Sequence, residues 1–176
     1  MARLVARFGF TRFEADEYYK IALDHYTKKN MEEALNTIGQ ALALYPSSAE
    51  YHATKGFLYL EHGARDKAAE AFAEALKYNQ YEMLAHYGLG VLSYKSQDWP
   101  TALHHFNLAQ MITPNRAETL YYLALVQRQS GQTPTAITNM QRALTLYETS
   151  DAKKQARDAR AWLAEWERPL PPLPPR

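Results

Sequence analysis

The chain has 176 residues, with 20 lysines and arginines against 19 aspartates and glutamates, a formal net charge of +1, and no cysteine. That length suffices to bury a sizeable core. The near-neutral balance argues against a general electrostatic grip on nucleic acid, which needs clustered basic residues, and the absence of thiols excludes disulfides and thiolate metal sites, which fits a reducing compartment such as the cytoplasm.

The charge is unevenly spread. Residues 1–14 carry +2, residues 15–150 carry −3 and residues 151–176 carry +2, so basic ends flank a mildly acidic middle. No apolar run approaches the ~20 residues needed to span a bilayer as a helix. In residues 1–14, MARLVARFGFTRFE, the apolar Leu4, Val5, Phe8, Phe10 and Phe13 alternate with Arg3, Arg7 and Arg12. Arg7 interrupts the unbroken apolar stretch that a secretory signal requires, and Gly9 weakens a continuous helix. The segment therefore reads as an irregular basic, apolar arm. Three fates stay open for it: packing on the protein, docking on a partner, or contact with a membrane surface.

From residue 15 the apolar spacing turns helical, and helices are predicted over 15–28 and 31–45, 49–62 and 65–78, 83–96 and 99–112, and 117–130 and 133–147. Gly63 and Gly131 stand where first helices must end in a left-handed residue. Pro100 and Pro134 fall in the first turn of second helices, where no amide hydrogen bond is lost. The pairs are copies of one another. Ala34, Ala68, Ala102 and Ala136 form a column with a step of 34 residues, as do Ala41, Ala75, Ala109 and Ala143, with Ile38, Phe72, Phe106 and Met140 between them. The first helices repeat Ala22, Gly56, Gly90 and Ala124 at the same step, with Tyr18, His52, His86 and Leu120 on the same face. Antiparallel helices approach closely only where side chains are small, so alanine and glycine mark the crossings and the bulky residue fills the gap to the next unit. Four copies of one period predict an array of stacked units, 15–48, 49–82, 83–116 and 117–150.

After 150 the period stops. Ser150 and Asp151 suit a helix start, and Ala152, Ala156, Ala159, Trp162, Leu163 and Trp166 recur at threes and fours. An open array exposes an apolar end, so residues 151–167 are predicted to form a closing helix whose outer face carries Lys153, Lys154, Arg157 and Asp158. The tryptophans also suit an oligomer contact. Residues 168–176, RPLPPLPPR, cannot continue a helix and are expected to be extended polyproline.

Leu89-Gly90, Ala102, Phe106, Ala109 and Pro114 of unit 83–116, with Gly56, Tyr59, Gly63, Ala68, Phe72 and Ala75 of unit 49–82, resemble the tetratricopeptide repeat family. Ala22 and Ala124 depart from the glycine usual in that pattern. The resemblance implies an all-α fold, a right-handed superhelical solenoid of four helix-turn-helix repeats with a C-terminal capping helix. It also implies a concave groove lined by first helices, which binds a protein partner's peptide or helix. Carried over position by position, the groove comprises Asp16, Tyr19, Lys20, Leu23 and Tyr26; Glu50, Ala53, Thr54 and Phe57; Leu84, Tyr87, Gly88, Val91 and Tyr94; and Glu118, Tyr121, Tyr122, Leu125 and Arg128. Tyr19, Leu23, Tyr26, Phe57, Leu84, Tyr87, Val91, Tyr94, Tyr121, Tyr122, Leu125 and Arg128 are its partner-binding candidates. Relatives that clamp a chaperone's terminal carboxylate use two lysines, two asparagines and an arginine or lysine. Tyr19, Leu23, Thr54, Leu84 and Gly88 stand there instead, so the expected groove is aromatic and apolar. The tail resembles SH3-domain ligands, with Arg168 or Arg176 setting the orientation.

The sequence offers little chemistry. His104 and His105 are adjacent and point to different sides of a helix, which rules out an i, i+4 metal pair. His52 and His86 fall in a packing column, and His25 stands where an aromatic is usual. No glycine-rich phosphate loop follows a strand pattern, and no nucleophile has a favouring context. The expectation is a non-enzymatic interaction scaffold with no catalytic residue, cofactor, metal or nucleic acid. A self-assembling protein, in which the arm or closing helix fills a neighbour's groove, is the alternative.

Overall fold

Small residues at the helix crossings are the basis of the fold. Both alanine columns, and Ile38, Phe72, Phe106 and Met140 between them, are completely shielded from solvent. The structure, a computed structural model, describes the backbone of residues 2–167 and the side chains of residues 11–167. Among the described residues the secondary structure is entirely helical. The helices are α1 (Ala2–Thr27), α2 (Met31–Leu44), α3 (Ala49–Glu61), α4 (Arg65–Tyr78), α5 (Met83–Lys95), α6 (Trp99–Ile112), α7 (Ala117–Gln129), α8 (Thr133–Thr149) and α9 (Lys153–Trp166). This is an all-α helical-repeat solenoid. It divides into two compact units after Leu92.

In the first unit, α1 packs on α2 and α3 on α4. Ala15 and Ala22 meet Ala34, Ile38 and Ala41, with Leu42, Tyr51 and Leu58 completing the cluster. Phe72 explains two glycines. A Cβ on Gly56 would lie 2.6 Å from its ring, and a Cβ on Gly88 would lie 2.1 Å from its Cζ. Gly88 is thus a packing residue that admits Phe72, where the family pattern placed it in the groove. The turns between repeats carry a device that the sequence did not reveal. His52 Nε2 pairs with the Pro46 carbonyl at 2.8 Å, and one period later His86 Nε2 pairs with the Gln80 carbonyl at 3.0 Å. In the tautomer that donates from Nε2, each imidazole satisfies a carbonyl left over by the preceding turn.

The N-terminal expectation needs correcting. Residues 2–14 are not an irregular arm: α1 is one helix from Ala2, through Gly9, to Thr27. A mid-helix glycine costs only about 1 kcal/mol, which helix-favouring alanine, leucine and arginine neighbours offset. The docking fates of Leu4, Val5 and Phe8, and the polyproline and SH3-ligand expectations for residues 168–176, concern side chains and residues outside those described.

In the second unit, Leu120, Leu123, Val126, Phe106 and Met140 are fully buried between α6, α7 and α8. A buried amide pair, Asn139 Nδ2 donating to Gln127 Oε1 at 2.9 Å, ties α8 to α7. Arg142 Nη2 donates to the Pro114 carbonyl at 3.3 Å, serving the position one period on from the histidine-capped carbonyls. Pro100 and Pro134 lie in the first turns of α6 and α8 as expected. Ser150 closes α8 instead of opening α9: its Oγ donates to the Leu146 carbonyl at 2.9 Å. Asp151 then turns the chain at φ 55°. Each helical hairpin turns through a left-handed residue, Lys29 and Gly63 in the first unit (φ 65° and 84°) and Gln97 and Gly131 in the second (φ 60° and 77°).

Candidate functional site

On α1, Tyr19, Leu23 and Tyr26 fall on one face at steps of four and three; on α3, Glu50, Thr54, Phe57 and Glu61 do the same. The two rows interlock. Tyr19 stacks on Tyr51 with ring centroids 4.9 Å apart, and Tyr26 meets Phe57 edge-on at 5.5 Å. Tyr19 Oη donates to Glu50 Oε1 at 3.1 Å and accepts from Thr54 Oγ1 at 3.4 Å, so its ring is held in place from two sides. Tyr51 donates its hydroxyl to Asp16. Tyr19, Tyr26, Phe57 and Leu84 remain half-exposed, and Leu23, at 37%, stands clear. The result is an aromatic and aliphatic strip that keeps part of its surface in water. At one end, Tyr26 and Glu61 join Thr27, Lys29 and Met31 around an open depression of about 400 Å³.

Carboxylates border the strip. Asp16 and Glu50 stand at the Tyr19 end, with Glu82 just ahead of α5, and Glu61 stands at the Tyr26 end. Among the described residues none of Glu50, Glu61 and Glu82 forms an ion pair with a lysine or arginine. Burial pushes the Glu82 carboxyl above the usual range and the charge of Glu50 adds to it, against hydrogen bonds from the Leu84 amide and Asn79. Burial likewise raises Tyr19, with Glu50 adding, while the Thr54 hydrogen bond opposes the rise. Glu61 and Glu82 were missed because the family's groove positions start and stop short of them.

The second unit has an aromatic cluster of different character. Tyr122 stacks on Phe106 at 5.7 Å and meets Tyr94 edge-on at 5.4 Å; Tyr121 packs against Tyr122 and Tyr147. Helix α9 lies against this cluster. Ala159, Leu163, Trp162 and Trp166 pack with Ala124, Leu125, Met140 and the tyrosines, and Trp162 Nε1 donates to Tyr121 Oη at 3.0 Å. The role of Trp162 had no signal beyond its helical spacing.

The twelve candidates therefore divide. Tyr19, Leu23, Tyr26 and Phe57, and Leu84 on α5, retain exposed surface in the first unit. Tyr87, Val91 and Leu125 are each less than a tenth exposed. Position in the family pattern gave their helix face, but neighbouring side chains close over it. Tyr94, Tyr121 and Tyr122 are half-buried, as Tyr19, Tyr26 and Phe57 are, but pack with one another and with α9, and Arg128 is exposed at the end of α7. No group of three or more histidines, aspartates or glutamates among the described residues could hold a metal ion, and no described helix is long and apolar enough to cross a membrane.

Family comparison agrees with the repeat geometry. Tetratricopeptide repeat models match residues 54–117 and 118–150. The chain belongs to the tetratricopeptide repeat family. The matches leave out α1 and α2, where Ala22 replaces the usual glycine. No curated protein matches the sequence. Solved structures share the tetratricopeptide fold. PilF of Pseudomonas aeruginosa aligns with a TM-score of 0.67 and 20% identity, over 90% of this chain and 79% of that one. MamA of Desulfovibrio magneticus RS-1 aligns at 0.64 and 22%, over 87% and 94%. YrrB, described as having an unusual peptide-binding site, aligns at 0.60 and 18%, over 85% and 84%. At such identities the likeness is one of fold. Tetratricopeptide repeat families are in general non-enzymatic protein–protein interaction scaffolds, and this chain has their architecture.

Proposed function

We propose that this protein is a non-enzymatic adaptor that captures a segment of a protein partner on the α1/α3 face of its first unit. One observation carries the reading: Tyr19, Leu23, Tyr26 and Phe57 form a strip whose rings are fixed by stacking and hydrogen bonds yet keep solvent-exposed surface. Rings that are already ordered lose little freedom on binding, which favours affinity. The peptide-binding site of YrrB, on the same fold, supports a peptide as the kind of partner. A partner bound by an aromatic strip places apolar side chains between the rings and leaves its polar edge in water.

The adaptor reading is preferred to exchange of the closing helix between molecules, because Ala156, Ala159 and Leu163 of α9 are buried against their own unit. The test is affinity capture from a native extract with the intact chain beside Leu23→Ser. Leu23 is 37% exposed, so its replacement costs on the order of 1 kcal/mol of stability and leaves the chain folded. Loss of the same captured protein with Leu23→Ser supports the reading; capture by both chains alike refutes it.

A further inference from the structure

We propose that the occupant of the α1/α3 face is the segment RPLPPLPPR, residues 168–176, of a second copy of this chain. The inference rests on the reading of that face as the binding site and names what it takes. Chemical complementarity between face and segment carries it.

The face offers aromatic rings with carboxylates at both ends. Tyr19 is fixed by Tyr51, Glu50 and Thr54, and Tyr26 by Phe57. Glu50 and Glu82 stand at one end and Glu61 at the other. Among the described residues, Lys20 pairs with Glu17, Arg12 lies over the ring of Tyr45, and His86 acts on Glu82 from α5. Lys29 shares the depression with Glu61 but forms no ion pair with it among the described residues. A cationic group delivered from outside would relieve two carboxylates that repel one another, and a flat apolar one would cover the rings.

The segment supplies both. It has an arginine at each end, no acidic residue, and five prolines with two leucines between them. Proline-rich segments bind aromatic-lined grooves because their backbone has little freedom left to lose, and arginine pairs with carboxylates through two parallel hydrogen bonds. The lengths are compatible. Eight polyproline steps span about 25 Å at ~3.1 Å per residue. Glu50 and Glu61, eleven residues apart on one helix, are about 16 Å apart along its axis at ~1.5 Å per residue. The inward reach of two arginine side chains makes up the difference. The segment comes directly after Glu167, the C-cap of α9, whose carboxylate accepts from Gln141 at 3.3 Å. Every copy of the chain carries both the face and the segment, so one molecule can offer its segment to the first unit of another.

The test uses the amidated peptide RPLPPLPPR and the full chain carrying Arg168→Ala and Arg176→Ala, so that its own segment does not compete. Calorimetric titration is expected to give saturable binding in the range of tens to hundreds of micromolar. Binding should weaken about tenfold in the added presence of Glu50→Gln and Glu82→Gln, and again when salt screens the pairs, while Glu32→Gln with Glu33→Gln on α2 changes nothing. Light scattering on the natural chain should show mass rising with concentration, and the double arginine variant should stay monomeric. No saturable binding by about 1 mM, or binding indifferent to Glu50→Gln with Glu82→Gln, overturns the proposal. So does equal binding of the peptide with its prolines replaced by alanine, which would assign the face to any basic apolar segment. A natural chain that stays monomeric while the peptide binds removes the second copy as its source. If the peptide fails while capture of a partner still depends on Leu23, only this inference falls; if Leu23→Ser also leaves capture unchanged, the binding face itself is wrong.

Discussion

The two units surround half-buried aromatic residues of the same repeat in different ways. In the first, the tyrosines of α1 and the phenylalanine of α3 form a row with exposed surface, bordered by carboxylates. In the second, Tyr121, the counterpart of Tyr19, packs on Tyr122 and against α9, and Trp162 engages its hydroxyl. An aromatic residue at a groove position is therefore not by itself a binding residue. What differs is the surroundings of the half-buried rings: α1 and α3 side chains edged by carboxylates in the first unit, and the tryptophans of α9 in the second.

The sharpest way to break this contrast is to remove the cover of the second unit. Trp162→Ala deletes a large ring from the α9 cluster and leaves the Tyr121 hydroxyl without its donor, so a loss of about 3 kcal/mol is expected in urea unfolding. A loss under about 1 kcal/mol would mean that α9 is only loosely attached. The next largest effect belongs to the first unit. Gly88→Ala sets a methyl 2.1 Å from the Phe72 ring, and overpacking of this kind costs about 1–3 kcal/mol. Combining it with Phe72→Leu should recover part of that loss, because the smaller side chain vacates the contact; no recovery would place the strain elsewhere.

Two smaller effects sharpen the comparison. Leu23→Ser should weaken partner binding by about 1–2 kcal/mol, the scale of an interface anchor, with the chain still folded by circular dichroism. Arg128→Ala, on the second unit, should leave affinity as it was, and an equal loss there would erase the distinction between the faces. Least of all, Gln97→Gly should raise stability by about 0.5–1 kcal/mol, since a side chain in the left-handed region is strained and glycine is not. Gly131 already occupies the equivalent turn at φ 77°, and thermal unfolding of the single variant reads the difference.

Much of the fold was legible because its cause is local and periodic. Alanine at Ala68 or Ala102 marks a crossing whatever surrounds it, and Gly63 and Gly131 announce left-handed turns. Lys29 and Gln97 adopt the same geometry without announcing it, because the hairpin imposes the conformation and the residue bears it. Gly9 misled for the opposite reason: a small local penalty was outweighed by its neighbours. Ser150 has the chemistry of either helix end, and only the length of α8 decides which it serves. The candidate face was half legible. Tyr19, Leu23 and Phe57 could be placed on one helix face, but burial of Tyr87, Val91 and Leu125 depends on contacts that no residue carries in itself. Gly88 was read as surface because its partner, Phe72, lies sixteen residues away on another helix.

The central claim, that partners engage the first unit's face and not the second's, can be tested in one measurement. Hydroxyl-radical footprinting of the full chain, free and bound to its captured partner, reads both faces together by mass spectrometry. The account predicts protection at Tyr19, Leu23, Tyr26 and Phe57, with labelling of Tyr94, Tyr121 and Tyr122 unchanged. Protection confined to Tyr94, Tyr121 and Tyr122 would contradict it.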